Sequence, residues 1–129
     1  MHAMGRSLFL TPLLVLALVT SSHAATLYTP PLSWSLIAGS LAFRCEIVNV
    51  ASGPREVRAQ VITDAATTVA DSGVVLLAPN GTLTQDYTTF GGDRTYCRFD
   101  VQGGRKKFRA SACTYSVSDE GCVASVNAK

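Results

Sequence analysis

Two segments of the chain alternate apolar and polar side chains and carry a cysteine among the apolar ones. The apolar positions are Phe43, Cys45 and Ile47 in the segment 43–50, and Cys97, Phe99 and Val101 in the segment 94–101. Side chains two residues apart in a strand point to the same face of a sheet. The pattern therefore predicts two half-buried strands whose cysteines form a disulfide bond across a β core.

Short strands separated by turn residues fill the rest of the chain after residue 31. The further predicted strands are 32–37, 55–63, 74–78, 82–90, 106–115 and 122–126, with a short one around 67–69. Gly, Pro, Asn and Asp lie between them, and Asn80-Gly81 favours a turn with positive φ. No stretch beyond the first 24 residues shows a helical period. Seven or eight short strands with a turn roughly every ten residues predict an all-β antiparallel sandwich or barrel.

The first 24 residues predict a cleaved secretory signal peptide. Arg6 precedes an apolar run over 8–19, and small residues follow at 21–25. The run is shorter than the roughly 20 apolar residues that span a bilayer, so cleavage after Ala24 or Ala25 is favoured over an uncleaved anchor. We then expect an N-terminal lead over 25–31 and a single β-sandwich domain over 32–129. The expected location is secreted or periplasmic, with no transmembrane segment after cleavage.

Removal of the leader changes the chemistry that the chain can perform. Both histidines, His2 and His23, lie in the removed segment, so histidine-based catalysis and histidine metal sites are excluded from the mature chain. Loss of Arg6 lowers the basic residues from 11 to 10 against 9 acidic ones, which leaves a net charge of about +1. A near-neutral balance and the lack of a recognised motif argue against a nucleic-acid partner.

Four cysteines in an exported chain form an even set that can pair in three ways. The pairings are 45–97 with 113–122, 45–113 with 97–122, and 45–122 with 97–113. In the strand 106–115, the apolar face holds Phe108, Ala110 and Ala112, so Cys113 falls on the outward face. That favours Cys113–Cys122 across a short hairpin and Cys45–Cys97 in the core. A zinc site is disfavoured because no C-x-x-C pair is present.

The motifs are similar to those of bacterial exported immunoglobulin-like modules of the adhesion-associated kind. The similarity covers about 41–101 and is carried by Cys-Glu-Ile-Val-Asn-Val at 45–50, Asp-Ser-Gly at 71–73, Ala-Pro-Asn-Gly at 78–81 and Tyr-Cys-Arg-Phe at 96–99. It implies an immunoglobulin-like β-sandwich that serves as a scaffold and brings no catalytic residue. Trp34 precedes the first cysteine and Tyr96 directly precedes the second, which departs from true immunoglobulin domains.

A cluster of basic residues is the strongest candidate for a binding site. On a strand, Arg105, Lys107 and Arg109 would share the outward face, and Arg98 could join them across a hairpin. Such a stripe would suit an anionic polymer, phospholipid headgroups or an envelope protein. The alternative is a solvated face whose charges protect a sheet edge from strand addition.

The carboxylates give no comparable signal. A glycosidase needs two of them facing each other across a cleft, and no spacing in the sequence identifies such a pair. Asp64, Asp71 and Asp93 lie in predicted loops, but they form no regular calcium loop. We therefore expect no enzyme activity, no metal and no cofactor. The leading hypothesis is a non-catalytic exported module with a binding or structural role; the alternative is a small secreted inhibitor or effector that acts through loops such as 64–72.

Overall fold

A computed structural model describes residues 24–33, 41–88, 94–116 and 122–129. The strands are β1 (Ala24–Tyr28), β2 (Leu32–Ser33), β3 (Leu41–Asn49), β4 (Arg55–Thr63), β5 (Thr68–Asp71), β6 (Val75–Leu77), β7 (Thr82–Thr88), β8 (Arg94–Gln102), β9 (Phe108–Ser116) and β10 (Cys122–Asn127). A single 3₁₀ turn, Arg105–Lys107, lies between β8 and β9. The described ranges thus hold ten strands, against the seven or eight that the sequence predicts.

The strands form two antiparallel sheets. In the first sheet the order is β1-β8-β4-β5, with β2 beside β8 and β6 beside β4; in the second it is β10-β9-β3-β7. The inner faces of both sheets contribute to one core of buried apolar side chains. The largest fully buried apolar members are Phe43, Phe99, Ile47, Val57 and Val61. The predicted antiparallel β-sandwich is therefore confirmed.

The Cys45–Cys97 disulfide joins the two sheets inside this core. Cys45 lies on β3 of the second sheet and Cys97 on β8 of the first, and both are 0% exposed. The alternation in the two segments therefore predicted correctly which side chains face inward. Because each of the two strands has a neighbour on both sides, the bond connects the centres of the sheets rather than their edges.

The second disulfide, Cys113–Cys122, is also confirmed. Cross-strand pairing places Cys113 beside Arg44 of β3 and Ser125 of β10. Cys113 lies on the outward face of β9, opposite Arg44, yet it is only 5% exposed. It lies on a strand with neighbours on both sides and its sulfur is bonded to Cys122, so little of it meets water although its face is the outer one.

The order of the outer strands differs from that of an immunoglobulin domain. There, the strand that carries the second cysteine pairs with the strand that follows it in the chain. Here β9 leaves the sheet of β8 and pairs with β3, and β1 takes the position beside β8. We therefore describe the fold as a two-sheet antiparallel β-sandwich.

The N-terminal lead expected over 25–31 is in part a strand. β1 pairs with β8 from Ala24 opposite Gln102 to Tyr28 opposite Arg98. The main chain of Thr29 then bonds to Cys97, and its hydroxyl accepts a hydrogen bond from the Cys97 amide. Pro30 and Pro31 follow this strand and do not interrupt it. The predicted signal peptide up to residue 23, Trp34 and Asp93 lie outside the described residues.

The predicted apolar run at 74–78 forms only a three-residue edge strand. β6 pairs with the first residues of β4, from Arg55 opposite Leu77 to Val57 opposite Val75. Leu77 is buried, but Val74 and Leu76 are 66% and 65% exposed. A continuous apolar run is typical of a strand covered on both faces; here only one face is covered.

Asn49 connects two turns at one end of the sandwich and is fully buried. Its side-chain amide donates hydrogen bonds to the carbonyl oxygens of Gly53 and Leu77, each at 3.0 Å, and of Ala78 at 3.3 Å. Its side-chain oxygen accepts a bond from the Ala51 amide at 2.9 Å. One asparagine thus satisfies main-chain groups of the β3–β4 turn and of the β6–β7 connection, a role that the sequence pattern did not reveal.

The β6–β7 connection confirms the turn with positive φ that was predicted at Asn80-Gly81. Asn80 has a positive φ of 60°. A Cβ atom at Gly81 would lie 2.9 Å from the carbonyl oxygen of Ala78, which is main chain and cannot move aside. Glycine is therefore required at this position by close approach of the backbone.

Removing the two disulfides one at a time should have unequal effects. The bonds close loops with sequence separations of 52 and 9 residues. On the loop-entropy account, replacing Cys45 and Cys97 with alanine should cost about 4 kcal/mol, and replacing Cys113 and Cys122 should cost under about 3 kcal/mol. Denaturant unfolding of both double variants measures this, and a larger loss for the short loop would contradict it.

Asn49→Asp should lower the free energy of unfolding by about 2 to 4 kcal/mol, because a carboxylate cannot donate to the three carbonyl groups and would be buried among them. Asn80→Asp is the matched control, since the residue is exposed and aspartate tolerates its positive φ. The control should change the stability by less than about 0.5 kcal/mol. Equal losses in thermal or denaturant unfolding would show that Asn49 has no special role.

Candidate functional site

The basic residues predicted to share one strand face are arranged differently. Arg105 and Lys107 belong to the 3₁₀ turn, and β9 begins only at Phe108. Gly103, with a φ of 97°, lies between the end of β8 and Gly104, the N-cap of this turn, where the chain leaves the first sheet for the second. The strand alternation used to align these residues with Arg109 therefore does not apply before residue 108.

Arg98 does not join this group. It lies on β8 of the first sheet, whereas Arg109 lies on β9 of the second, because β8 and β9 do not form a hairpin. Its guanidinium Nε donates to the Asp100 carboxylate at 3.2 Å. Asp100 also accepts a bond from the Thr26 hydroxyl at 2.9 Å. The inclusion of Arg98 in a cationic stripe was therefore wrong, since it assumed that consecutive strands pair.

Arg105, Lys106 and Arg109 line a common groove of about 460 Å³, and Lys129 completes its basic side chains. The groove lies where the chain crosses from the second sheet to the first after β10. There the Ala128 amide donates to the Ala110 carbonyl at 2.8 Å. We call this feature the basic groove.

Two groups of side chains form the walls of the basic groove. The apolar group from the core side is Leu27, Phe108, Ala110 and Ala128, and the group from the outer face of the second sheet is Glu46, Val48, Ser111 and Asn127. Leu27 and Phe108 are only 5% and 2% exposed, so they add little surface to the groove. The most exposed side chains of the groove are therefore the cationic ones, while its apolar side chains are buried or half-buried.

Lys107, unlike Lys106, does not line the basic groove. A Cβ atom on Gly103 would lie 3.8 Å from the side chains of both Lys107 and Arg55, so Lys107 lies on the Arg55 side of the turn. Of the basic residues predicted for the site, the structure brings together Arg105 and Arg109 and replaces Lys107 with its neighbour. The sequence could not show this, because the 3₁₀ turn changes which side chains share a face.

The charges of the basic groove are not neutralised by nearby acids. The ion pairs within the described ranges are Arg44–Asp86, Arg58–Asp71 and Arg98–Asp100, and none involves a side chain of the groove. Glu46 is the sole carboxylate side chain among the described lining residues. Arg105, Lys106 and Arg109 are all exposed. Their combined field should therefore attract anions to the opening.

A second polar cluster lies on the outer face of the second sheet. Arg44 makes two parallel hydrogen bonds to Asp86, at 2.7 and 2.9 Å, and lies 4.4 Å from the ring centre of Tyr115. The Tyr115 hydroxyl donates to the same carboxylate at 3.1 Å. The bond to Arg44 lowers the pKa of Asp86, and burial followed by the bond to Asp86 raises the pKa of Tyr115.

The electrostatics of the two most perturbed carboxylates favour a structural role. Asp71 accepts bonds from Arg58, the Gly73 amide and Gln60, and its pKa is lowered, chiefly by Arg58. Asp86 is shifted in the same direction. A general acid needs the opposite shift, so neither group is prepared for proton donation near neutral pH. Asp71 also ends β5, so part of the loop 64–72 considered for an inhibitor is strand.

Comparison with models of known protein families, with curated proteins and with solved structures found no match to this chain. In the described ranges, no group of three or more histidine, cysteine, aspartate or glutamate side chains could hold a metal ion. The same part of the chain contains no helix long and apolar enough to cross a membrane. The basic groove is therefore the feature from which a function can be argued.

Asp86→Asn should remove a pH-dependent part of the stability. Since the folded pKa lies below the unfolded value of about 3.9, the stabilisation is full above that pH and is lost as the pH falls through the folded pKa. The pair is partly exposed, so the loss near pH 7 should be about 1 kcal/mol or less. The difference between variant and parent in thermal unfolding should shrink as the pH is lowered below the unfolded pKa and vanish once the carboxyl of the folded protein is protonated. Asp64→Asn, in an exposed turn, is the control and should change little across this pH range.

Proposed function

We propose that this chain is an exported, non-catalytic β-sandwich module that binds an anionic partner at the basic groove. The observation that carries the proposal is the gathering of Arg105, Lys106 and Arg109 around one groove. Cations held close together without acidic partners favour an anion, because each would otherwise repel the others. The partner is an acidic polysaccharide, an anionic lipid surface or an acidic segment of an envelope protein.

The disulfides support the location part of this proposal. Two such bonds indicate an oxidising, non-cytoplasmic environment. The predicted cleavage after Ala24 or Ala25 would remove at most two pairs of β1 and leave its inward Leu27 in the core. Export through the predicted signal peptide is therefore compatible with an intact first sheet.

The basic groove is large enough to hold a small part of a larger anionic molecule. Its volume of about 460 Å³ falls within the roughly 300 to 1,000 Å³ of typical ligand sites. A groove of this volume can hold one anionic group of the partner and the few atoms next to it. Nucleic acid remains the least favoured partner, since the charge of the mature chain is nearly balanced.

The test compares Lys106, which lines the basic groove, with its neighbour Lys107, which carries the same charge outside the groove. Lys106→Glu should weaken retention on immobilised heparin and on liposomes with anionic lipids by about fivefold, the loss of roughly one ion pair. Lys107→Glu makes the same change in net charge on the side of the turn away from the groove. It should retain most of the binding.

Arg109→Glu extends the test to the opposite wall of the groove and should resemble Lys106→Glu. Arg98→Glu, on the first sheet, should resemble Lys107→Glu. Equal losses in all four variants would show that only net charge matters and would overturn the groove as the site. Unchanged retention in all four would remove the proposed function.

A further inference from the structure

β7 is the last strand of the second sheet, and its outer edge has no neighbour among the described residues. It pairs with β3 alone, over all of its seven residues and without a bulge. The strand contains no lysine, arginine or proline, and its one charged residue, Asp86, is paired with Arg44 of β3. An edge of this kind presents main-chain amide and carbonyl groups that another strand can bind.

The other edge strands that the structure describes are covered, bulged or short. The main chain of Lys129 bonds to both main-chain groups of Tyr28, at 3.2 and 3.0 Å, and so covers the outer edge of β1. β10 carries a bulge between Cys122 and Ala124. β2, β5 and β6 have two, four and three residues. These are the means by which proteins prevent unwanted strand pairing, and β7 uses none of them.

The main-chain groups at the open edge of β7 belong to its even-numbered residues. Directly before β7, the Asn49 amide donates to the Gly81 carbonyl at 3.0 Å, and the register then continues without a shift. Because the direction of the bonds alternates along an antiparallel pair, the odd-numbered residues bond to β3 and the even-numbered ones point away. The Gln85 side chain donates to the Asp86 carbonyl at 3.3 Å, in agreement with this assignment.

The sequence of β7 is complementary to itself when it is reversed about Gln85. Antiparallel pairing of two copies with the two Gln85 residues opposite each other places Leu83 opposite Tyr87 of the second copy. The same pairing places Thr84 opposite Asp86. Leu83 and Tyr87 pack against the core and are half-buried, so such a pair would extend the core of each copy. Polar residues would meet polar residues on the outer face.

Neighbouring registers are less favourable. A shift by one residue brings even-numbered residues opposite odd-numbered ones, whose main-chain groups already bond to β3. Pairing centred on Thr84 places Leu83 opposite Gln85. Pairing centred on Asp86 places two carboxylates directly opposite each other, which is destabilising. The register centred on Gln85 is therefore the one that both the main chain and the side chains favour.

We propose that the open edge of β7 binds a second copy of this chain, with the two β7 strands antiparallel and centred on Gln85. The second sheets of both copies then form one continuous sheet of eight strands, related by a two-fold axis. The inference is independent of the proposed function, because β9 and β10 of the basic groove lie at the other end of this sheet. One strand pair is a small interface, so we expect a dissociation constant on the order of 10 to 100 µM.

Sedimentation equilibrium of the mature chain between about 5 and 500 µM brackets this constant. Thr84→Pro removes an amide that points away from β3, so it keeps the pairing within the chain and blocks the pairing with the second copy. Two hydrogen bonds are lost in each dimer, so the dissociation constant should rise by about tenfold or more. Thr84→Ala is the matched control, since it retains the amide, and it should stay within about twofold of the parent.

Cysteine cross-linking determines the register and serves also if Thr84→Pro does not fold. In the proposed dimer, Thr82 lies opposite Thr88 of the second copy with a Cα separation of about 5.5 Å, which a disulfide can bridge. The double variant Thr82→Cys, Thr88→Cys should therefore form a covalent dimer in buffer with oxidised glutathione. The two copies of residue 84 would lie about 8 Å apart, so Thr84→Cys alone should not cross-link.

A parent dimer that is weakened in Thr84→Pro, kept in Thr84→Ala and cross-linked in the double cysteine variant supports the inference. A parent that stays monomeric at every concentration overturns it. A dimer of unchanged affinity in a folded Thr84→Pro variant uses another surface and also overturns it. Efficient cross-linking of Thr84→Cys, with none in the double variant, would contradict the register centred on Gln85.

Discussion

The structure depends on the bond between Cys45 and Cys97, which holds two sheets face to face at their centres. β3 pairs with β7 and β9, and β8 pairs with β1, β2 and β4, so the bond links seven strands and not only two. The side chains around it are the inward ones of both sheets, and Phe43 and Phe99 are completely buried there. Because the disulfide holds the centres of the two sheets together, the sheet edges are the parts whose arrangement it does not fix. The basic groove lies at one of these edges.

Asn49 connects the core to that edge. It follows the buried part of β3, and its side chain satisfies main-chain groups in two turns. The next residue, Val50, donates its amide to the Lys107 carbonyl at 2.9 Å. The 3₁₀ turn that carries Arg105 and Lys106 is therefore held by the same end of the sandwich that Asn49 organises. The cations of the groove have fixed backbone positions although their side chains are exposed.

Local alternation was sufficient to predict the inward residues of β3, β4 and β8 and the two disulfides, because a period of two depends only on neighbouring residues. Predictions that needed the pairing of strands were less reliable. Arg98 was assigned to the wrong surface because β9 changes sheets. Lys107 was predicted in place of Lys106 because residues 105–107 form a 3₁₀ turn and not part of a strand. β1 was missed because its small residues also match a cleavage site. The role of Asn49 depends on turns that are distant in sequence, so no local pattern could reveal it.

The central claim is that anions bind at the basic groove. Chemical-shift mapping of the ¹⁵N-labelled protein during titration with a short heparin oligosaccharide tests it most directly. The account predicts that the largest shifts occur in the amides of 105–111 and 127–129, with little change in β8 and β4. Shifts centred on Arg98 and Arg58, on the outer face of the first sheet, would contradict it.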